Sequence, residues 1–404
     1  MATDVNVAVI GAGQAGLATS WFLTRAGIDH AVLESGRVAE TWRSRRWDSF
    51  CLVTPNWTVR LPGGEYIGPD PDGYIKRDEI VDHFQRWVES FRAPVREGCP
   101  VTALDRDGDG FVLTVPGGTL RARTVVVATG GYQRAHRPPA AEQMPARLNQ
   151  LLAEEYRNEG ALPEGAVLVI GGGQTGCQMS EELHHAGRKV FLSCGRAPWA
   201  PRRMGGHDLV WWIVESGFWN RTPAQLPSPA ARLLSNPLTT GHEGGHDLHY
   251  RTLSEMGVEL LGRFVGAEDG TVRFGDDLAQ SMQAGDDLSR LFMKWVGAFC
   301  EKRRLEIPWE VPEAVNLRSR TELDLEREGV TTVIWTTGFR PDYGWVHADV
   351  CDDMGFPIQT DGRSDVPGLY FMGVHFQRKG QSAVLYGVGE DAEIVVNHIV
   401  ENRK

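Results

Sequence analysis

Two glycine-rich segments with the same spacing could bind phosphate groups. Each follows a short apolar run and leads into a helical pattern, and their first glycines are 160 residues apart. In this spacing the first glycine permits a tight turn, the second lets backbone N–H groups approach a pyrophosphate, and the third packs the helix on the strand. The segments therefore predict two dinucleotide sites. Their expected contact residues are Gly11, Gly13, Gln14, Ala15 and Gly16 in the first copy and Gly171, Gly173, Gln174, Thr175 and Gly176 in the second.

Polar residues at the ends of the next strands distinguish the two ligands. Glu34 ends the apolar run 31–33, with Ser35 beside it, and its carboxylate could accept hydrogen bonds from the ribose diol of FAD or NAD. The corresponding stretch of the second copy has no carboxylate and carries one serine and three arginines, Ser193, Arg196, Arg202 and Arg203. Because a carboxylate would repel a 2′-phosphate that serine and arginine would bind, NADPH is preferred over NADH. Solvated surface arginines are the alternative.

The elements around these segments predict an α/β protein with two Rossmann-like dinucleotide-binding domains and a small β-meander. Three short strand patterns separated by glycine turns, between residues 101 and 127, form the meander. The segment 132–164, rich in Pro, Arg and Ala, is the expected linker. We expect a discontinuous first domain, 1–145 and 325–404, which is interrupted by the second, 160–324.

The clearest helical pattern lies late in the second domain. Apolar residues at i, i+3 and i+4 predict a helix over 286–306, whose positive amino end suits Asp286 and Asp287. A terminal helix is expected from Gly389 to Val400. Three tryptophans in the irregular region between could form an aromatic substrate wall, with core packing as the preferred alternative: Trp211, Trp212 and Trp219.

The composition excludes several classes of protein. With 404 residues, 41% hydrophobic and 24% charged, the chain is ordinary for a soluble globular protein, and no apolar run approaches the ~18 residues of a membrane helix. The net charge of −11 argues against nucleic acid and anionic membranes as partners. The amino terminus shows no secretory signal, and the six cysteines form no Cys-x-x-Cys pair, as expected for reduced thiols. We expect a cytoplasmic protein that binds a small molecule, and a homodimer is left open.

Two patterns suggest metal sites that other residues contradict. His242 and His246 have the HExxH spacing of zinc proteases, which requires a helix, and Gly244 and Gly245 oppose one. Three aspartates between 105 and 109 begin like a calcium loop, but a proline takes the position of its bidentate glutamate. A β-turn explains these aspartates better, so we expect no metal site.

Segments along nearly the whole chain resemble the two-dinucleotide-binding flavoproteins, most closely the bacterial flavin-containing monooxygenase-like (class B) proteins. They are Gly11–Leu17, Thr41–Phe50, Thr54–Trp57, Val125–Gly130, Gly171–Gln178, Thr336–Tyr343, Pro367–Gly373 and Tyr386–Ala392. The resemblance implies that the first domain binds FAD and that the second binds NADPH and carries a substrate-region insertion. It places Trp42 and Arg43 beside the flavin, the adenine near the backbone of Val101, and the amino end of the terminal helix at the flavin's pyrimidine edge. Further FAD contacts are implied at the closing turns, Thr129, Gly130 and Gly373.

The same resemblance implies a monooxygenase. NADPH would reduce the flavin, O2 would convert it to a C4a-hydroperoxide, and this oxidant would oxygenate a small organic nucleophile at nitrogen, sulfur or electron-rich carbon. Because the flavin carries the chemistry, no side chain is assigned as a catalytic acid or base. Asn56 is a candidate for binding the peroxide, and a turn residue held by backbone groups is the preferred alternative.

The chain departs from the family pattern in its linker. The motif F-x-G-x-x-x-H-x-x-x-Y/F falls on Ala146, Leu148, Leu152 and Tyr156, so only the tyrosine is retained and Leu152 replaces the histidine. Since this linker helps set the nicotinamide domain against the flavin domain, the change favours an alternative, an NADPH-dependent flavin oxidase or reductase without oxygen transfer. A disulfide reductase would need a redox cysteine pair beside the flavin, which the sequence lacks. A nucleotide-sensing module is an alternative of a different class.

Overall fold

The computed structural model describes residues 3–233, 236–313, 317 and 319–402. Within these ranges the chain forms a seven-stranded sheet, a five-stranded sheet and four smaller ones. Helices follow strands in the βαβ order of a doubly wound protein, so the predicted α/β class is confirmed. Among the described helices, none combines the length and the apolar character needed to cross a membrane.

The strands up to residue 152 include six of the seven strands of the first sheet, its meander among them. They are β1 (Thr3–Ile10), β2 (His30–Leu33), β3 (Arg60–Leu61), β4 (Gly64–Glu65), β5 (Val95–Arg96), β6 (Ala103–Asp107), β7 (Gly110–Val115), β8 (Gly118–Val127), β9 (Arg134–Ala135) and β10 (Asn149–Leu152). The remaining strands are β11 (Ala166–Ile170), β12 (Val190–Ser193), β13 (Arg203–Met204), β14 (His207–Asp208), β15 (Glu259–Leu261), β16 (Phe264–Glu268), β17 (Thr271–Phe274), β18 (Glu322–Asp324), β19 (Val330–Trp335), β20 (Phe339–Arg340) and β21 (Leu369–Phe371).

The first sheet has the strand order β5-β2-β1-β8-β7-β6, and β21 pairs with the carboxyl end of β8. Strands β5, β2, β1, β8 and β21 run parallel, whereas β6, β7 and β8 form an antiparallel meander. The runs Val7–Ile10 and Val125–Val127 are buried throughout, as expected for parallel strands covered on both faces. The predicted meander is confirmed, with its first strand beginning at Ala103 instead of Val101.

The second sheet is entirely parallel, in the order β10-β19-β11-β12-β15. Two of its strands come from outside the predicted second domain. The division at residue 325 grouped β19 with the first sheet, but its hydrogen-bonding neighbours are β10 and β11. Strand β10, from the predicted linker 132–164, forms one edge of the same sheet.

The helices are α1 (Gln14–Arg25), α2 (Glu40–Ser44), α3 (Arg77–Phe91), α4 (Gln174–His185), α5 (Leu209–Glu215), α6 (Tyr250–Met256), α7 (Leu278–Arg303) and α8 (Val388–Glu401). The terminal helix is confirmed to within one residue at each end. The long helix starts at Leu278, eight residues before its predicted start at 286. The assignment of Asp286 to a helix amino end is therefore wrong: it lies mid-helix, 1% exposed, and its carboxylate pairs with the guanidinium of Arg251 at 2.8 Å.

We call the part of the chain built around the first sheet the first unit and the part built around the second sheet the second unit. Two residues of the first unit pack against the second sheet. Trp47, only 5% exposed, belongs to the apolar core beneath β11 and β12, and Phe50 contacts the cores of both units. Nearby, the guanidinium of Arg202 donates from Nη1 to the Val53 carbonyl at 2.7 Å, and its Nη2 lies 2.7 Å from a carboxylate oxygen of Asp208. The segment between Trp47 and Val53 therefore lies at the junction of the two units, and contacts at both of its ends fix it to the second unit.

The pair formed by Arg202 and Asp208 gives a stability prediction. Both side chains are at most 8% exposed, so Asp208→Asn leaves a buried guanidinium without its anion while an asparagine can still cap α5. We expect the free energy of unfolding, measured by urea denaturation, to fall by about 3–5 kcal/mol. The matched control is Asp287→Asn, which removes an exposed pair with Arg290 and should cost less than about 1 kcal/mol. Equal losses in the two variants would contradict this role for Asp208.

Candidate dinucleotide-binding sites

In the first glycine loop, two glycines lie so close to backbone atoms that a side chain would not fit, and the third faces open space. A Cβ on Gly11, whose φ is +109°, would lie 2.6 Å from the Ala128 carbonyl oxygen, and one on Gly16 would lie 1.9 Å from the Gly11 oxygen. A Cβ on Gly13 would meet no heavy atom of the described chain within 4 Å. Helix α1 starts there without a side-chain cap, so its first N–H groups are free to bind a phosphate in that space.

The Glu34 carboxylate is fixed at the end of β2 beside this loop. Its Oε2 accepts from the Ala12 N–H at 2.7 Å, and its Oε1 accepts from the Gly36 N–H at 2.9 Å and from the Ser35 hydroxyl at 3.1 Å. Ser35 therefore orients the carboxylate. Each oxygen keeps acceptor capacity for a ribose hydroxyl. The Cys99 N–H donates to the Glu34 carbonyl at 2.8 Å, which brings the segment leading to Val101 to the same strand end.

The predicted closing turns lie at the same edge of the first sheet. Thr129 and Gly130 follow β8, and Gly373 follows β21, where its Cβ would come 2.9 Å from that of Ala15. The Gln14 side chain donates to the Ala383 carbonyl at 2.8 Å and so connects α1 to the segment that leads into α8. The structure thus brings together expected FAD contacts from the glycine loop, from the end of β2 and from the turns after β8 and β21.

Arg43 carries a donor without a partner. Its Nε is buried and makes no hydrogen bond within the described chain. Helix α2, which carries Arg43 and Trp42, is joined to the glycine loop by the Ala39 N–H, which donates to the Ala12 carbonyl at 3.1 Å. A buried donor that makes no hydrogen bond within the described chain, on a helix joined to the glycine loop, fits a bound flavin dinucleotide, since buried N–H groups are nearly always paired.

The second glycine loop repeats the geometry of the first. A Cβ on Gly171, whose φ is +118°, would lie 2.5 Å from the Thr336 oxygen, and one on Gly176 would lie 1.9 Å from the Gly171 oxygen. A side chain absent from the predictions, Tyr250, braces this loop: its hydroxyl lies 2.7 Å from the Gly172 carbonyl oxygen and 2.9 Å from that of Gly195. Only the fold reveals this contact, because nothing in the spacing of the sequence links Tyr250 to the loop.

The four residues expected at a 2′-phosphate divide into two pairs. Ser193 is 3% exposed and its hydroxyl donates to the Gly262 carbonyl, so this donor is not offered to a phosphate. Arg202 is 1% exposed and committed to Asp208, so it is withdrawn from the surface as well. Arg196, three residues after β12, and Arg203, on β13, remain exposed, and they are the two cations of this set that a ligand can reach.

The surroundings of Asn56 match those of a turn residue held by backbone groups, the preferred alternative to a peroxide-binding role. It is 2% exposed, its Nδ2 donates to the Asp70 carbonyl at 2.9 Å, and its Oδ1 accepts from the Ile75 N–H at 2.7 Å. The amide therefore fastens a loop, as a turn residue held by backbone groups would.

The retained linker tyrosine joins the two units. Tyr156 is fully buried, and its hydroxyl donates to Oε1 of Glu182 on α4 at 2.7 Å. The other oxygen of Glu182 accepts from the Ser49 hydroxyl, which belongs to the first unit. Leu152, in the histidine position of the family motif, ends β10 opposite Trp335. Glu182 was not predicted, since its role depends on contacts between distant segments.

The patterns set aside as metal sites have structural partners. His242–Gly244 is a short 3-10 turn in which Glu243 has a φ of +49°. His246 lies 2.7 Å from the buried carboxylate of Glu181, and this hydrogen bond raises the pKa of the histidine. Asp107 ends β6 in the hairpin of the meander and pairs with Arg121, in agreement with the turn interpretation.

The three tryptophans also separate. Trp212 is buried and donates to the Met204 carbonyl at 2.8 Å, and Trp211 packs against the same cluster. Trp219 lines an open cavity of about 470 Å³ together with Tyr386, whose ring centroid is 5.7 Å away. Trp219 also packs against that cluster, so core packing accounts for all three, and Trp219 in addition faces the cavity.

Residues 8–213, about half of the chain, match the family described as pyridine nucleotide-disulphide oxidoreductase. The chain belongs to this family. The oxidoreductase is 31% identical to an uncharacterized CzcO-like oxidoreductase of Geobacillus kaustophilus, over 98% of this chain and 99% of the relative. It is 26% identical to the indole-3-pyruvate monooxygenase YUCCA1 of Oryza sativa subsp. japonica, over 97% and 90% of the two chains.

A solved structure shares the fold over its whole length. The flavin-containing monooxygenase from Stenotrophomonas maltophilia matches this oxidoreductase with a TM-score of 0.67 at 19% identity, covering 99% of both chains. The predicted enzyme class and the pairing of two dinucleotide-binding units are therefore confirmed. At the level of the family, a flavin and a pyridine nucleotide as cofactors are confirmed as well.

The first glycine loop gives a prediction that distinguishes an effect on folding from an effect on FAD binding. Gly13→Ala adds a methyl group to open space, so the ligand-free protein should keep its melting temperature while its Kd for FAD rises at least about tenfold, because the methyl group occupies the phosphate space. Gly16→Ala is the matched control, because its methyl group overlaps a backbone oxygen and should lower the melting temperature without ligand. Thermal unfolding without ligand and fluorescence titration with FAD measure both effects. An unchanged Kd in Gly13→Ala would place the phosphate elsewhere.

Proposed function

We propose that this oxidoreductase is a monooxygenase that uses FAD, NADPH and O2 to oxygenate a small organic nucleophile at nitrogen, sulfur or electron-rich carbon. The observation that carries the proposal is the pair of glycine loops, one beside the buried carboxylate of Glu34 and the other followed by the exposed Arg196 and Arg203. Two similar proteins support a monooxygenase reaction: the rice relative is an indole-3-pyruvate monooxygenase, and the bacterial structure is a flavin-containing monooxygenase.

The first unit would bind FAD with groups already in position. The free N–H groups at the start of α1 would bind the pyrophosphate, Glu34 would accept from ribose hydroxyls, and the Nε of Arg43 would donate to an acceptor on the flavin side. When bound, FAD supplies hydride acceptance from the nicotinamide and activation of O2. The chain's own task is to orient the reactants and exclude water. Trp42 and Phe50, with ring centroids 5.9 Å apart, supply apolar surface for that purpose.

The second unit would bind NADPH. We propose that it comprises residues 160–324 together with β19, whose pairing places it in the second sheet. Arg196 and Arg203 would receive the 2′-phosphate, and Tyr250 would keep the glycine loop and the end of β12 at a fixed separation. The hydrogen bonds from Tyr156 and Ser49 to Glu182 would then fix the direction from which the nicotinamide approaches the first unit.

One observation favours a second candidate, an NADPH-dependent flavin oxidase or reductase without oxygen transfer. Leu152 brings no polar group to the linker position where the resembling family has a histidine. A poorly retained NADP⁺ would leave the reduced flavin open to water, so that the flavin would pass its two electrons to O2 and H2O2 would leave without oxygen transfer to a substrate.

A rapid-mixing experiment separates these candidates. Protein reconstituted with FAD is mixed with NADPH without air, and bleaching of the flavin absorbance is expected. On addition of O2, a transient absorbance band distinct from the reduced and oxidised spectra supports the monooxygenase. Direct return to the oxidised spectrum with one H2O2 per NADPH supports the oxidase. Failure to bind FAD, or no bleaching by NADPH, would contradict both.

The phosphate assignment gives a further prediction. Arg196→Ala and Arg203→Ala should each raise the KM for NADPH about tenfold, because a charge-assisted hydrogen bond to the 2′-phosphate is lost, and should change the KM for NADH little. Arg123→Ala, at an exposed position on β8, is the control and should alter neither value. Equal effects of the Arg196 and Arg203 substitutions on both nucleotides would show that these arginines do not bind the phosphate.

A further inference from the structure

Arg46 is a half-buried cation enclosed by aromatic rings. Its guanidinium carbon lies 5.5 Å from the ring centroid of Trp42, 5.6 Å from that of Phe50 and 5.9 Å from that of Tyr132. We call these three rings the aromatic cage. They come from α2, from the loop after it and from the turn after β8. Burial lowers the pKa of Arg46, which means that its charge has lost part of its hydration.

Within the part of the chain that the structure describes, this charge has no anion beside it. Three other shielded arginines have a carboxylate partner within 3 Å: Arg202 with Asp208, Arg251 with Asp286 and Arg378 with Asp391. Around Arg46, by contrast, the described chain offers no carboxylate within 4 Å. The acid that acts on Arg46 from further away, Glu154, is paired with Arg45 at 3.4 Å.

Most of the N–H groups of the Arg46 side chain also make no hydrogen bond within the described chain. The hydrogen bond that its side chain makes within the described residues runs from Nη1 to the Arg45 carbonyl at 2.9 Å. The remaining N–H groups are therefore available to an anionic ligand. A carboxylate matches the planar fork of a guanidinium and could bind it bidentately.

The aromatic cage lies at the edge of the proposed FAD site. Tyr132 follows the closing turn at Gly130, and its ring lies 5.2 Å from that of His375, two residues beyond Gly373. Trp42 precedes Arg43, whose orphaned Nε fits the flavin side. An anion bound to Arg46 would therefore lie next to the cofactor, and the aromatic rings would contact the organic part of the same molecule.

We propose that Arg46, within the aromatic cage, binds the carboxylate of the substrate, so that the compound oxygenated is a small organic acid with its nucleophilic atom directed at the flavin. This inference rests on the proposed function. A cofactor phosphate has the same charge as a carboxylate, and the experiment below distinguishes the two sources.

The first measurement uses the FAD-loaded protein and needs no variant. Benzoate and its neutral analogue benzamide are titrated while the visible flavin spectrum and tryptophan fluorescence are recorded. Benzoate is expected to bind at least about tenfold more tightly than benzamide, because only benzoate pairs with the guanidinium. Equal binding, or no binding of benzoate, in protein that NADPH still bleaches would overturn the carboxylate site and leave the proposed function intact.

Variants then assign the effect to Arg46. Arg46→Met should raise the Kd for benzoate about tenfold or more and leave benzamide unchanged, and Arg46→Lys should restore part of the preference. The control is Arg45→Met, which removes the neighbouring arginine that already has a carboxylate partner, and it should keep the wild-type preference. If the Arg46 variants weaken FAD binding or raise the KM for NADPH while the preference for benzoate persists, Arg46 serves a cofactor phosphate and the proposal is wrong. Should Arg46→Met fail to fold, Arg46→Lys and the wild-type comparison still decide.

Discussion

The guanidinium of Arg202 is buried where the two nucleotide-binding units meet. It is 1% exposed and combines a carboxylate partner on β14, the carbonyl of Val53 in the first unit and the face of the Tyr74 ring at 4.5 Å. A charge in such a place is tolerated only when its polar groups are satisfied at once, so the segments that supply its partners have little freedom to shift separately. These contacts join a segment of the first unit to the second unit, and these two units carry the two glycine loops. Tyr156 and Ser49, which share the carboxylate of Glu182, act in the same sense at a second point of the junction.

The two glycine loops show how one backbone design can serve two ligands. In both, the first and third glycines approach backbone so closely that a side chain is excluded. What differs is the end of the following strand. There, Glu34 accepts one hydrogen bond from the glycine loop and two from Ser35 and Gly36, and it remains an acceptor for hydroxyl groups. The second unit instead leaves Arg196 and Arg203 exposed. The selectivity proposed for the second site therefore rests on two flexible cations and not on a rigid pocket.

Much of this architecture could be predicted from the sequence, because it depends on local patterns. The glycine spacing, the apolar strands and the terminal helix need only neighbours along the chain. Helix α3 was missed although its signal was present: Ile80, Phe84 and Trp87 recur on one face and are all buried. The start of α7 was missed for a different reason, since Leu278–Gly285 is rich in polar and small residues and is helical because it packs against the second core.

The candidate site was predictable only in part. Residues in the glycine loops and at the strand ends are where the sequence places them. Ser193 and Arg202, however, have the right residue type and position yet turn to partners far away in the chain. Tyr250, Glu182 and Arg46 owe their roles to contacts that cross the junction or bring distant turns together. No spacing rule contains that information.

The insertion of Trp47 into the core of the second unit affects how such proteins can be recombined. Exchanging the nucleotide-binding halves of two relatives at a linker would leave this indole facing a foreign core, with Phe50 beside it. A functional chimera would have to carry the stretch from Trp47 to Val53 along with the half that it packs into, while Trp42 stays with the first unit. The boundary between exchanged segments should therefore lie in the loop after α2. The sheet topology alone would assign this loop to the amino-terminal unit.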